Sequence, residues 1–123
     1  MKPDFETIKN SPEIRTYITQ ADASLLALGY TEHSFAHVTR CAQVAADLLS
    51  RLGYEDRQVE LARISGYMHD IGNVVNRVDH AQSGAVIPFR ILDKMAMAPE
   101  DVALVVTAIG NHDEGTAYPV NAV

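Results

Sequence analysis

His69 and Asp70 stand side by side in the stretch Gly66-Tyr67-Met68-His69-Asp70-Ile71-Gly72, an imidazole and a carboxylate just ahead of a glycine able to stop a helix. Three more of the five histidines, His37, His80 and His112, fall at inward or terminal positions of three other predicted helices. A buried imidazole without a partner is costly, so each must meet a hydrogen-bond partner or an ion. One histidine on an apolar face is ordinary core. Four gathered around one acid point to a metal site, because neutral imidazole is the commonest protein ligand for transition metals and a carboxylate can bridge two ions. Such a donor set suits iron, manganese, cobalt, nickel or zinc better than calcium and does not rank them. Two cations about 3.5 to 4 Å apart generate a hydroxide from bound water and clamp phosphoryl oxygens.

The elements that must carry these residues read as helices joined by short loops. Residues 1–10 form a lead-in. Ser11 caps a helix that opens on Pro12, runs through Ile14, Ile18, Leu25 and Leu28, and stops at Gly29. A second helix starts at Thr31 or Ser34 and ends at Leu52 before Gly53, with Phe35, Val38, Ala42, Ala45, Leu49 and Leu52 as its buried face. His37 lies beside that face, in line with Cys41, Val44 and Leu48. The third helix runs from Glu55 or Asp56 to Ile71, and its small residues Ala62, Ser65 and Gly66 allow another helix close to the His69–Asp70 pair.

A fourth helix opens at His80 and extends to Lys94 or Met95, with Gly84, Ile87 and Ile91 on the stripe that His80 heads and Pro88 expected to kink it. Ala98-Pro99 opens a fifth, whose stripe Val102, Val105, Val106, Ile109 leads to His112. No convincing alternating strand, repeat or low-complexity tract interrupts this pattern. The fold class is therefore all-α, a compact bundle of five or six helices.

Composition bounds what the bundle can do. A chain of 123 residues, 47% of them hydrophobic, suits one domain spanning residues 1–123. A formal net charge of −6 excludes a basic groove for a nucleic-acid polymer. The single Cys41 makes no internal disulfide and, on the buried side of its helix, reads as packing. No apolar run reaches the ~18 residues of a membrane span, and the N-terminus has no apolar signal core. We expect a soluble cytoplasmic protein, with homodimers permitted. Arg40, near His37, is a candidate phosphate ligand through its guanidinium; Arg77, Lys94 and a pocket-lining role for His33 have weaker claims.

From Thr31 onward the residues resemble the HD-domain metal-dependent phosphohydrolases, named for an adjacent His-Asp pair. His37-Val38-Thr39-Arg40 followed by Ala42, Val44 and Ala45 is similar to that family's first histidine helix, and Met68-His69-Asp70-Ile71-Gly72 to its central motif. His80-Ala81-Gln82-Ser83-Gly84-Ala85 resembles the segment that supplies a further ligand in binuclear members, and Asn111-His112 occupies the place of a later histidine. The resemblance implies that His37, His69 and Asp70 hold a first divalent ion and that Asp70 bridges to a second held by His80 and His112.

Glu114 to Pro119 is faintly similar to the Asp-Gly-x-Gly-Tyr-Pro signature of the HD-GYP, cyclic-dinucleotide branch, although Asn73 stands where that branch commonly has lysine. The family also closes its site with a later aspartate. Here Val120 to Val123 reads as an interrupted helix start, so we expect a truncated chain, or Asp113 or Glu114 in that role.

The function so implied is hydrolysis of a phosphate monoester or phosphodiester, that of a nucleotide, by a metal-bound hydroxide, with Asp70 and Arg40 as catalytic residues. The alternative is a nucleotide-sensing or interaction module that keeps fold and metal with little or no turnover.

Overall fold

A computed structural model describes residues 3–29, 35–76, 78–112 and 120–123. Its six helices are α1 (Phe5–Lys9), α2 (Pro12–Ala27), α3 (Phe35–Arg51), α4 (Asp56–Met68), α5 (His80–Lys94) and α6 (Pro99–Gly110), with a 3₁₀ turn at Ile71–Val74 between α4 and α5. No strand occurs among the described residues. The all-α bundle expected from the periodicity is the observed fold.

The lead-in is itself structured. Asp4 caps α1 by accepting from the Thr7 amide at 2.9 Å, and Phe5 and Ile8 are buried. Phe5 meets the Tyr67 ring edge-on, with centroids 5.5 Å apart. A five-residue helix is too short to declare a period, which is why the sequence pattern does not reveal it. Arg57 fastens this end of the chain, donating from Nε to Asp101 on α6 at 2.9 Å and from Nη1 to the Pro3 carbonyl at 3.0 Å.

Ser11 caps α2 as expected, its Oγ accepting from the Ile14 amide at 3.3 Å, and Gly29 follows the helix at a φ of +92°. Leu28 is not part of the buried stripe: it is the C-cap residue and exposed. On α3 the buried face is Val38, Ala42, Ala46 and Leu49, while Val44, Leu48 and Leu52 face solvent. Val38, Ala42 and Leu49 are buried as expected and Phe35 packs against the core, while Ala46 is buried, Ala45 is only half-buried and Leu52 is exposed. The starts expected at Thr31 or Ser34 fall outside the described residues.

α4 ends at Met68 rather than Ile71, with His69 as its C-cap and Asp70 leading into the 3₁₀ turn. Gly72 does not stop α4; it permits a close approach. A Cβ there would sit 1.9 Å from the His80 carbonyl oxygen and 2.4 Å from the Gly84 amide nitrogen, so only glycine lets the start of α5 rest on the turn. Gly66 does the same between α4 and α3, where a Cβ would meet the Ala42 Cα at 2.9 Å. The small-residue stretch before the His-Asp pair is therefore a helix crossing.

α5 runs continuously through Pro88. α6 opens on Pro99 and buries Val102, Val105 and Ile109 as expected. The core these helices enclose includes Ile14, Ile64, Met68, Leu92 and Val105, all on the inward stripes. Lys94 lies away from the histidines, paired with Glu13 at 2.9 Å. Among the described residues no helix is long and apolar enough to cross a membrane. Val120 to Val123 are not helical, contrary to the reading of that segment.

Candidate metal centre

Asp70 is buried, and its two carboxylate oxygens face opposite pairs of histidines. Oδ2 lies 3.4 Å from Nε2 of His37 and 3.2 Å from Nε2 of His69. Oδ1 lies 3.6 Å from Nε2 of His80 and 3.8 Å from Nε2 of His112. The last two imidazoles approach each other, Nε2 to Nε2, at 3.1 Å. Residues from α3, the end of α4, the start of α5 and the end of α6 thus converge on one carboxylate. His37, His69, Asp70, His80 and His112, singled out from sequence, are brought together.

The hydrogen bonds behind the rings fix which nitrogen faces the centre. His69 Nδ1 lies 2.6 Å from the Gly66 carbonyl oxygen, and His112 Nδ1 lies 2.6 Å from that of Ile109. A carbonyl can only accept, so each Nδ1 carries the proton and each Nε2 presents a lone pair. In neutral His69 that lone pair faces a carboxylate oxygen, acceptor against acceptor. The arrangement is satisfied only by a cation between the two, a proton or a metal ion.

The distances admit an ion. Two atoms each bound at about 2.1 Å to one metal cannot lie more than about 4.2 Å apart, and at a tetrahedral angle they lie about 3.4 Å apart. The five separations above, from 3.1 to 3.8 Å, all fall inside that limit. An Nδ1–H donated to a backbone carbonyl is also the usual orienting contact of a ligating histidine. Two groups of potential ligand atoms result, Asp70–His80–His112 on one side and His37–Cys41–His69 on the other. The donor set fits one or two divalent transition-metal ions.

The titration behaviour reflects the same crowding. Burial lowers the pKa of His112, and the neighbouring His69 and His80 add to that effect. Burial also opposes charge on His69, yet the Asp70 carboxylate and the Gly66 carbonyl outweigh it and the net shift is upward.

Three features escape the sequence reading. Asn73 is buried, donating from Nδ2 at 2.8 Å and from its backbone amide at 3.1 Å to the Asp70 carbonyl, so it anchors the backbone that carries Asp70. Cys41 places Sγ 3.8 Å from Nε2 and 4.0 Å from Nδ1 of His37 rather than serving only as packing. Its position one turn after His37 was the available signal. Third, a cavity of about 230 Å³ opens beside His69 and His112, walled largely by Cys41, Ala45, Ala62 and Ala108.

Arg40 does not join the cluster. Its side chain is exposed on α3; burial and then the Asp70 charge push the Cys41 thiol pKa up, and the Arg40 charge opposes them. His33, Arg77, Asp113, Glu114 and the remaining residues of the Glu114–Pro119 signature lie outside the described residues.

A family model described as HD domain matches residues 34–119, which takes in every residue of the cluster. The chain belongs to the HD-domain family. Members of this superfamily are generally metal-dependent hydrolases. Neither the curated proteins nor the solved structures gave a significant match. The similarity to the HD-GYP branch is not borne out. Asn73, at the position where that branch commonly has lysine, turns its amide inward to the Asp70 carbonyl and offers no cation to a phosphate.

Proposed function

We propose that this HD-domain chain hydrolyses a phosphate monoester or phosphodiester of a small molecule. The observation that carries the reading is the Asp70 carboxylate, with one oxygen toward His37 and His69 and the other toward His80 and His112. His37, His69 and Asp70 would hold one divalent ion, and Asp70, His80 and His112 a second. Such ions, when bound, supply Lewis acidity toward phosphoryl oxygens and a lowered pKa for coordinated water.

The chain's own residues supply position. The Gly66 and Ile109 carbonyls hold the His69 and His112 rings in one tautomer, and Asn73 fixes the Asp70 backbone. Arg40, exposed on the helix that carries His37, is proposed to meet the outer phosphate oxygens. The cavity beside His69 and His112 is proposed to receive the organic part of the ester, with nucleotides as the first class to test.

A second reading, a sensing module with little turnover, draws support from that cavity, whose lining among the described residues includes no lysine or arginine. One experiment separates them: metal analysis of purified protein alongside a panel of phosphate mono- and diesters, nucleotides included, with Asp70→Ala as control. Bound metal with Asp70-dependent turnover supports the hydrolase. Metal with no turnover on any ester supports the sensor, and protein that takes up no divalent ion overturns both.

A further inference from the structure

The two halves of the cluster are not equivalent. Asp70 Oδ1, His80 and His112 offer one carboxylate oxygen and two imidazole nitrogens. The other half offers the same kinds of atom from Asp70 Oδ2, His37 and His69, and in addition a thiol. Cys41 lies one turn beyond His37 on α3, on the same flank of the helix, and is half-buried. Its Sγ is 3.8 Å from His37 Nε2, and one ligand atom from each of His37, Cys41 and His69 lies within 4.8 Å of the others.

We infer that Cys41 is a ligand of the ion held by His37, His69 and Asp70, closing a four-donor set of two nitrogens, one oxygen and one sulfur. A sulfur at about 2.3 Å and a nitrogen at about 2.1 Å from one tetrahedral ion lie about 3.6 Å apart, close to the observed separation. With Cys41 this half offers four protein donors, which leaves coordinated water to the ion of the His80–His112 half; without it the fourth position is open to water. Ligation is accompanied by loss of the thiol proton to solvent, since the thiolate is the species that binds.

The assignment has a consequence for the choice of metal. A site of oxygen and nitrogen donors alone accepts manganese readily, whereas an added thiolate favours zinc, cobalt or iron(II). Cys41 therefore makes the His37 half the more selective and the tighter for a soft ion, while the His80–His112 half stays permissive. This goes beyond the hydrolase reading and needs only that the cluster binds metal.

Cobalt(II) is the probe. Metal-free protein is titrated with cobalt(II) and followed by near-ultraviolet and visible absorption, in parallel with Cys41→Ser and Cys41→Ala. We expect a sulfur-to-cobalt charge-transfer band in the parent that is absent from both variants, which still bind cobalt through Asp70, His80 and His112. Zinc competition should show at least about tenfold weaker affinity of the His37 half in both variants. Iodoacetamide should alkylate Cys41 in metal-free protein and slow markedly once zinc is bound.

A parent spectrum without the band, or alkylation unaffected by zinc, overturns the assignment while leaving the other ligands and the hydrolase reading intact. Failure of cobalt and zinc to bind at all overturns both. The parent spectrum and the alkylation series need no variant, so the result does not depend on the mutants folding.

Discussion

Gly72→Ala tests whether the approach of α5 to the 3₁₀ turn sets the geometry of the candidate metal centre. An alanine Cβ would lie 1.9 Å from the His80 carbonyl oxygen, where ordinary contact begins at 3.4 Å. Both near atoms belong to backbone, so no side chain can step aside, and relief requires the start of α5 to retreat by about 1.5 Å. His80 travels with it. Moved along the line from Asp70, its Nε2 would go from 3.6 Å to about 5 Å from Oδ1, beyond the ~4.2 Å that two donors of one ion can span.

The stability cost belongs at the top of the range for overpacking, about 3 kcal/mol. With a urea dependence of about 2 kcal/mol per molar, the unfolding midpoint should fall by about 1.5 M. Gly84→Ala is the internal comparison. Its Cβ would meet the His69 carbonyl oxygen and Ile109 Cγ2 at 3.3 Å and the Gly72 amide nitrogen at 3.4 Å, a tight fit relieved by shifts of a few tenths of an ångström and expected to cost about 1 kcal/mol. The assays are urea titration by far-ultraviolet circular dichroism and metal content after saturation with zinc. A Gly72→Ala protein with an unshifted midpoint and the full zinc complement would refute the reasoning, because the clash is fixed by backbone positions alone.

Four further predictions follow from the same geometry. Asp70→Asn should abolish both ion sites and all hydrolysis, whereas His37→Ala and His112→Ala should each leave one ion per chain by elemental analysis; retention of two ions by either histidine variant would contradict the bridging arrangement. Arg40→Ala should raise KM for a phosphate ester several-fold without changing metal content, and an unchanged KM would remove Arg40 from substrate binding. Ser11→Ala should cost about 1 kcal/mol by freeing the Ile14 amide at the start of α2, read from the urea midpoint. The Thr7 amide, then its hydroxyl, hold the Asp4 pKa below its ordinary 3.8, so the Asp4 cap contributes fully above that pH and is lost as pH falls through the lowered value. Asp4→Ala should therefore reduce the thermal midpoint at neutral pH, with the gap to the parent closing in acid; a gap that stays constant below pH 3.8 would show the charge to be irrelevant.

Much of the bundle was legible because helix starts and stops are written locally. Ser11-Pro12, Pro99 and the positive-φ glycines Gly29 and Gly53 act through neighbouring backbone groups, and each functions where the sequence placed it. The helix-borne candidate ligands could be found for the same reason, since His37 and His80 ride recognisable helices. The reading failed where burial is set by a neighbour. Val44 and Leu48 continue the apolar line of His37 yet face solvent, because α4 crosses α3 at Cys41 and Ala42 through Gly66. Gly72 looked like a helix stop, but its requirement comes from α5, a separate element of the chain.

The sequence by itself determined the donor chemistry: four imidazoles and one carboxylate, on elements whose periods and caps are local properties of the chain. Tertiary structure decided how those donors are shared. Which Asp70 oxygen faces which histidines, which ring nitrogen is tied back by Gly66 or Ile109, and the nearness of the Cys41 sulfur to His37 and His69 all depend on helix crossings. Side-chain type is carried by each residue alone, but separations of three to four ångströms between different helices exist only once the chain has packed.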